Sequence, residues 1–263
     1  MESNPISEIY KKKQFYFQKP HDLNIYDENN SIAGEHFSGK TYFALEKIAK
    51  PLLKTGKIKI WMWVHHQKVL KGLLDSGYLH PNQIVYYLDE LQDGTQFYVP
   101  KSKSIEHFNE FCALILKQRN LHVIFDELHN YMSAQTMAKN LYPVIRDLAA
   151  NQGVTYTAIW QRISEGHKSV MSNARHKFLF DFDIADQDRY LSIFGTKADL
   201  FLYPEQRKYF TECKVCGKNA LHHKYNDKLG NHKFDALYPV LDLHSFIYKD
   251  DKFKESMVYN GGI

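Results

Sequence analysis

The chain has 263 residues, of which 44% are hydrophobic and 24% charged, as in a globular protein with room for one substantial core and an appendage. No segment approaches the roughly twenty apolar residues of a membrane span, and Lys11-Lys12-Lys13 is not followed by the apolar stretch of a secretory signal. We therefore expect a cytoplasmic protein without a membrane span. Its net charge of +4 permits a nucleic-acid partner but does not require one.

The chain begins with polar residues, rich in Lys and Tyr, that predict a loosely docked N-terminal arm over 1–30. A weak strand candidate follows at Asn30-Ser31-Ile32-Ala33. A helix is predicted over 41–54, because apolar residues recur there at helical spacing: Ala44, Leu45, Ile48 and Leu52. The turn between strand and helix is the setting in which a phosphate-binding loop works.

That turn carries a complete G-x-x-x-x-G-K-T motif, which reads Gly34-Glu35-His36-Phe37-Ser38-Gly39-Lys40-Thr41. Gly34 and Gly39 can take the backbone angles that turn amide groups toward phosphate oxygens. Lys40 can reach the terminal phosphates, and the Thr41 hydroxyl is suited to hold Mg²⁺. The motif predicts ATP and Mg²⁺ as cofactors; the alternative is a glycine-containing turn without a ligand.

Downstream, short β-branched and apolar runs alternate with helical patterns. A helical pattern covers 105–116, and Pro143 suits the start of another helix. Strands are predicted at 58–64, 83–88, 121–127, 155–160 and 177–182. Strands joined by crossover helices give a mainly parallel sheet covered by helices, so the predicted fold class is α/β.

The strand at 121–127 ends in two acidic residues, Asp126 and Glu127. A buried parallel strand presents such residues to a ligand at its carboxyl end. We expect Asp126 to bind the magnesium shell and Glu127 to act as the general base on the attacking water. The alternative is a strand followed by a solvated acidic turn, but beside a phosphate-binding loop the pair predicts nucleotide hydrolysis.

The strand at 155–160 is predicted to lie between the loop and the acidic strand, because two other strand candidates separate those two in sequence. This strand ends in Gln161-Arg162. Gln161 would then lie beside the γ-phosphate, where its amide can sense the nucleotide or orient water. A strand-end residue with only a local hydrogen bond is the competing interpretation.

The C-terminal third departs from the α/β pattern and contains candidate zinc ligands. Cys213 and Cys216 form a C-x-x-C-G turn, followed by His222 and His223. Two thiolates and one or two imidazoles can complete a tetrahedral Zn²⁺ site that stabilises a small module. Two reduced thiols near a His-rich loop are the equal alternative.

The order of these motifs over about residues 30–185 resembles the FtsK/HerA superfamily of DNA-pumping ATPases. The resemblance rests on the loop 34–41, on Ile124-Phe125-Asp126-Glu127, and on the run from Asn151-Gln152-Gly153 into Thr157-Ala158-Ile159-Trp160-Gln161-Arg162. Ser172-Asn173-Ala174-Arg175 before the last strand is also similar. In size the chain resembles the genome-packaging ATPases of tailless, membrane-containing icosahedral viruses.

The resemblance implies a ring, usually hexameric, that threads DNA through its channel with ATP between subunits. Each site then needs an arginine from the neighbouring subunit, for which Arg146, Arg162 and Arg175 are candidates. The helix before Gln161 does not place its arginine at the spacing expected from the cellular translocases, and surface salt bridges are the alternative role for Arg146 and Arg175. For a viral protein, the implied location is the host cytoplasm or the virion, and a capsid or vertex protein is an implied partner.

We therefore predict three regions: an arm at 1–30, a P-loop ATPase core at 31–200 and a C-terminal module at 201–263. The predicted function is ATP-driven DNA translocation, in the form of packaging a viral genome into a preformed capsid. Two alternatives stay open. One is a phage assembly or export ATPase of similar core, and the other is a P-loop kinase or nucleotide switch that drives no motor.

Overall fold

The centre of the fold is a sheet whose nine strands all lie in the part of the chain that the computed structural model describes, namely Ile25 and residues 28–162, 166–180, 186–194, 246–252 and 257–259. The strands are β1 Asn30–Ala33, β2 Lys59–Trp63, β3 Ile84–Val85, β4 Gln96–Tyr98, β5 Leu121–Phe125, β6 Val154–Trp160, β7 His176–Leu179, β8 Phe246–Asp250 and β9 Met257–Tyr259. Their order across the sheet is β3-β4-β2-β5-β6-β1-β7-β8-β9. Strands β1 to β7 run parallel, and β8 and β9 join antiparallel.

Helices cover both faces of this sheet. Three helical stretches, Lys40–Ala44, the π-helical turn Leu45–Ala49 and Lys50–Thr55, run on without a break and together form helix α1. The others are α2 Lys71–Asp75, α3 Ile105–Ile115, α4 Leu141–Arg146, α5 Leu148–Gln152, α6 Lys168–Asn173 and α7 Gln187–Phe194. Short 3₁₀ turns lie at Gln67–Leu70, Pro81–Gln83, Leu88–Glu90 and Leu128–Tyr131.

One apolar layer lies on each face of the sheet, because successive residues of a strand point to opposite faces. On β2, Ile60 and Met62 pack under α1 and α2, whereas Trp61 and Trp63 face α3 to α7. Phe43 of α1 contacts three aromatic rings of the β7–β8 region, with ring centroids 4.8 to 5.5 Å apart, namely Phe178, Phe180 and Phe246. This contact fixes the helix that follows the glycine-rich loop.

The predicted α/β class is confirmed, and so is the order of the strands that matter for the site. Strand β6 pairs with β1 on one side and with β5 on the other, as predicted for 155–160. The weak candidate at 30–33 is β1. The residues after these strands therefore emerge together at the carboxyl edge of the sheet.

On the far side of the sheet, one strand prediction was wrong in its extent and one strand was missed. The run 83–88 is a strand only at Ile84–Val85, because Tyr86 and Tyr87 are solvent-exposed and the chain turns into a 3₁₀ helix at Leu88. The three-residue strand β4 was missed. It is too short to show an alternating pattern of its own.

Strands β8 and β9 come from the range 201–263 and extend the core sheet, so the predicted boundary at residue 200 does not separate the sheet from the rest. The candidate zinc ligands Cys213, Cys216, His222 and His223 lie outside the described residues, as does most of the arm at 1–30. In the described part of the chain, every helix is too short or too polar to cross a lipid bilayer.

Candidate active site

The G-x-x-x-x-G-K-T segment forms a turn between β1 and α1 at the carboxyl edge of the sheet. Gly34 (φ 146°) and Gly39 (φ 96°) both have positive φ angles, which residues with a β-carbon rarely adopt. The Gly34 N–H donates to the carbonyl of Gln161 at 3.1 Å, and the Ser38 hydroxyl donates to the Glu35 carbonyl at 2.8 Å. The turn is thereby attached to the end of β6, and the first N–H groups of α1 face it.

Lys40 is the buried cation of the site, with an exposed fraction of 6%. Its ammonium group donates to the carbonyl oxygen of Glu35. Burial lowers the pKa of Lys40 to about 8, although the charges of Glu127, Asp126 and Glu35 act in the opposite direction. An anion beside this ammonium would stabilise its charged form.

Thr41 and Asp126 meet across the width of β6. The Thr41 hydroxyl donates to Asp126 Oδ1 at 3.0 Å, and the backbone N–H of His65 donates to Oδ2 at 3.3 Å. Asp126 is 2% exposed. Burial raises its pKa to about 6, and the neighbouring Glu127 carboxylate acts in the same direction.

These oxygens fit a magnesium ion. Hydroxyl and carboxylate oxygens are its preferred protein ligands, and Mg²⁺ commonly takes only one or two of them beside phosphates and water. Among the described residues there is no group of three or more His, Cys, Asp or Glu side chains that could hold a metal without such help. The site therefore suits a magnesium ion that arrives with a nucleotide.

Glu127 has an unusual backbone conformation for a residue with a side chain, with φ 57° and ψ 44°. Its Oε2 accepts a hydrogen bond from Gln161 Nε2 at 2.8 Å and lies 3.2 Å from His129 Nε2. The same Gln161 nitrogen lies 3.3 Å from His36 Nδ1 in the loop. One short chain of polar contacts thus connects the glycine-rich turn, the end of β6 and the end of β5.

A cleft of about 650 Å³ opens over these groups. Several histidines in its wall were not predicted from the sequence, and the burial of one of them, His65, lowers its pKa to about 4. The cleft is lined by His36, Phe37, Gly39, Lys40, Thr41, Tyr42, His65, His66, Val69, Glu127, His129, Asn130 and Gln161. His65 and His66 follow β2 directly, so their place at the carboxyl edge is the signal that could have identified them.

The three candidate arginines differ in their surroundings. Arg162 pairs with the buried carboxylate of Asp186 at 3.3 Å. Arg175 precedes β7 at the opposite, amino edge of the sheet and pairs with Asp250 and Glu28. Arg146 ends α4, its side chain is 59% exposed, and it contacts the Tyr142 hydroxyl and, at 3.8 Å, Asp147.

No protein-family model and no curated protein matches the chain. Solved structures do match. The genome packaging NTPase B204 from Sulfolobus turreted icosahedral virus 2, in complex with AMP, superposes with a TM-score of 0.59 at 15% identity, over 92% of this chain and 100% of that chain. Its complex with ATP-gammaS gives 0.59 at 14% identity over the same shares of the two chains.

B204 from Sulfolobus Turreted Icosahedral Virus, described as the DNA-packaging ATPase, gives a TM-score of 0.58 at 14% identity, over 91% of this chain and 100% of that chain. The fold resembles that of a viral genome-packaging NTPase. The similarity that the motifs suggested is thus confirmed at the level of the fold. At this identity it identifies the architecture alone, and the chemistry has to be argued from the side chains.

Lys40 offers a test of the site's electrostatics. The unfolded chain binds more protons than the folded one between about pH 8 and the ordinary lysine pKa of 10.5, so the buried charge destabilises the fold below about pH 8. We expect Lys40→Met to have a higher free energy of unfolding than the wild type at pH 7, without nucleotide. The difference should shrink as the pH rises from 8 to 10.5.

Denaturant unfolding at several pH values measures this difference. Lys57→Met, at an exposed position, is the control and should change little at any pH. A Lys40→Met protein that is less stable than the wild type at pH 7 would contradict the expected cost of burying this charge.

Proposed function

We propose that the chain is a magnesium-dependent ATPase. The observation that carries the proposal is the meeting of Thr41, Asp126, Glu127 and Gln161 at the carboxyl ends of three neighbouring strands, beside a glycine-rich turn that buries Lys40. Carboxylate, amide and ammonium groups so arranged suit the hydrolysis of a phosphoanhydride by water.

Each residue has a role that follows from its position. The amide groups of 34–41 and the Lys40 ammonium would hold the phosphates. Thr41 and Asp126 would hold Mg²⁺, which would neutralise negative charge on the nucleotide. Glu127 accepts the proton of the attacking water. Gln161 donates to Glu127 at 2.8 Å and so sets the direction of the carboxylate.

His129 is a second positioning residue for Glu127. Its Nε2 lies 3.2 Å from the carboxylate oxygen that also accepts from Gln161, and its side chain is 13% exposed. With both neighbours bonded to Oε2, we assign Oε1 to the water. A kinase transfers phosphate to a substrate hydroxyl and seldom needs an Asp-Glu pair with a glutamine beside it, so the combination of Asp126, Glu127 and Gln161 favours the ATPase over the kinase.

The first functional prediction concerns Glu127→Gln. The amide retains the shape of the side chain but cannot take a proton from water, so ATP hydrolysis should fall roughly a hundredfold or more. ATP affinity, measured by calorimetry, should stay within a few fold of the wild type. The exposed Glu106→Gln is the matched control, and near wild-type turnover in Glu127→Gln would remove Glu127 from the role of base.

The work that hydrolysis drives is proposed to be DNA translocation in genome packaging. Support comes from the fold, which matches B204 over that protein's full length, and from the order of motifs along this chain. A capsid or vertex protein would then be the partner that recruits it. An export or assembly ATPase of similar core is the second candidate, and stimulation of hydrolysis by double-stranded DNA distinguishes the two.

A ring of subunits is part of the proposal, because a neighbouring arginine would complete each site. Among the three candidates, we assign this role to Arg146. Its side chain is the most exposed of the three, whereas Arg162 and Arg175 pair with the buried carboxylates of Asp186 and Asp250. An arginine that reaches another subunit has to be available at the surface.

Assembly should therefore control activity. Hydrolysis per chain should rise with protein concentration, and Lys40→Ala subunits that still assemble should depress it by more than their fraction.

Arg146→Ala should bind ATP without hydrolysing it, yet regain activity when mixed with Glu127→Gln, because some interfaces pair an intact Glu127 with an intact Arg146. Arg175→Ala is the control, and activity that stays linear in concentration, without poisoning or rescue, would indicate a solitary enzyme.

A further inference from the structure

A second hollow lies away from the nucleotide cleft, and four of its twelve lining residues are basic. It measures about 460 Å³ and lies among α6, α7, β7 and β8. Four of its lining residues are basic, namely Lys168, Lys177, Arg189 and Lys249, and Asp251 is the acidic residue among the described ones that line it. Lys168 and Arg189 are exposed at its rim, whereas Lys177 is buried at 5%.

Two of these lysines are placed against each other by the sheet itself. Lys177 of β7 and Lys249 of β8 are direct cross-strand partners in the antiparallel pair. Like charges in this arrangement destabilise a sheet. Lys177 donates to the Ala174 carbonyl at 2.7 Å and to Asp251, and Lys249 donates to the Ile193 carbonyl, so the ammonium groups stay in the wall of the hollow.

The described wall of the hollow thus carries an excess of positive charge, with four basic side chains and the single carboxylate of Asp251, which pairs with Lys177. Burial lowers the pKa of Lys177, and the nearby charge of Lys249 acts in the same direction, although the carboxylates of Asp251 and Asp250 act against them. A bound anion would relieve both effects. Lysine and arginine around an open hollow of this size suit phosphate groups in particular.

The hollow is also joined to the nucleotide site through two connections of the chain. The segment after β5 carries Glu127 and reaches the hollow at Ala134, and the segment after β6 carries Gln161 and reaches it at Gly166. Trp160, immediately before Gln161, lines the hollow itself. Gly166 lies so close to the Trp160 ring that an added β-carbon would overlap it, at 1.3 Å.

We infer that this hollow binds the phosphate groups of a polyanion, either the backbone of a polynucleotide or free pyrophosphate. A ligand there contacts Ala134, on the segment that carries Glu127, and Trp160, the residue before Gln161. Its occupancy therefore changes the rate of ATP hydrolysis. This second statement rests on the proposed ATPase function, whereas the binding itself does not.

The test compares the full-length wild type with the double variant Lys168→Glu, Arg189→Glu. Both residues are exposed, so the fold should tolerate the change. The control is Lys117→Glu, Arg119→Glu, which alters the net charge equally at exposed positions between α3 and β5. Anisotropy of a labelled 20-base-pair duplex, titrated at several salt concentrations, and calorimetry with pyrophosphate measure binding in two separate arms.

Charge reversal at the hollow should weaken duplex binding tenfold or more and reduce the slope of log affinity against log salt by about 2, one for each lost phosphate contact. The control should bind like the wild type. Weakening in the pyrophosphate arm alone would identify free phosphate as the ligand. Equal binding by all three proteins in both arms would overturn the inference.

Hydrolysis measured without any polyanion separates this inference from the proposed function. It should be the same in all three proteins, because neither pair of substituted residues lines the nucleotide cleft. Added duplex should accelerate the wild type and the control but not the hollow variant. If no protein hydrolyses ATP, the proposed function fails, and the binding arms still decide the inference.

Discussion

The hydrogen bond between the Thr41 hydroxyl and the Asp126 carboxylate, 3.0 Å long, is the contact on which the site depends. It joins the start of α1 to the end of β5, although β6 lies between β1 and β5 in the sheet. The contact is possible because parallel strands end at one edge and the glycine-rich turn bends back across it. It places the two proposed magnesium ligands together in the protein alone.

The surroundings of this contact are arranged at some cost in stability. Burial shifts the pKa of Lys40 down to about 8 and that of Asp126 up to about 6, so each charge is less stable here than in water. Glu127 has a positive φ, a backbone conformation that residues other than glycine seldom adopt. Buried charges and backbone strain of this kind are typical of functional sites. A ligand of opposite charge stabilises the buried charged groups when it binds.

Much of this arrangement could be predicted from the sequence, because the decisive signals are local. A G-x-x-x-x-G-K-T turn before a helix and an apolar run ending in Asp-Glu each require only a few adjacent residues. The position of β6 between them followed from the number of intervening strands. Gln161 could be placed near the glycine-rich turn for the same reason, and its side-chain nitrogen lies close to His36 of that turn and donates to Glu127.

Other parts of the site depend on contacts that sequence spacing does not show. His129 meets Glu127 because the chain turns sharply after β5, at a positive φ that no motif encodes. The pairing of Arg175 with Asp250 joins residues 75 positions apart, so the three arginines could not be ranked from the sequence. Strand β4 is too short for a hydrophobic period, and its place was set by pairing with β2 and β3.

If Thr41 and Asp126 together hold one metal ion, the affinity for nucleotide must depend on magnesium through both side chains. Calorimetric titration with ATP-gammaS, with Mg²⁺ and with EDTA, gives the gain in affinity due to the metal. We expect Thr41→Val and Asp126→Asn each to remove most of this gain and the double variant to remove little more, because both ligands would serve one ion. Equal magnesium dependence in the wild type and the variants would contradict this expectation.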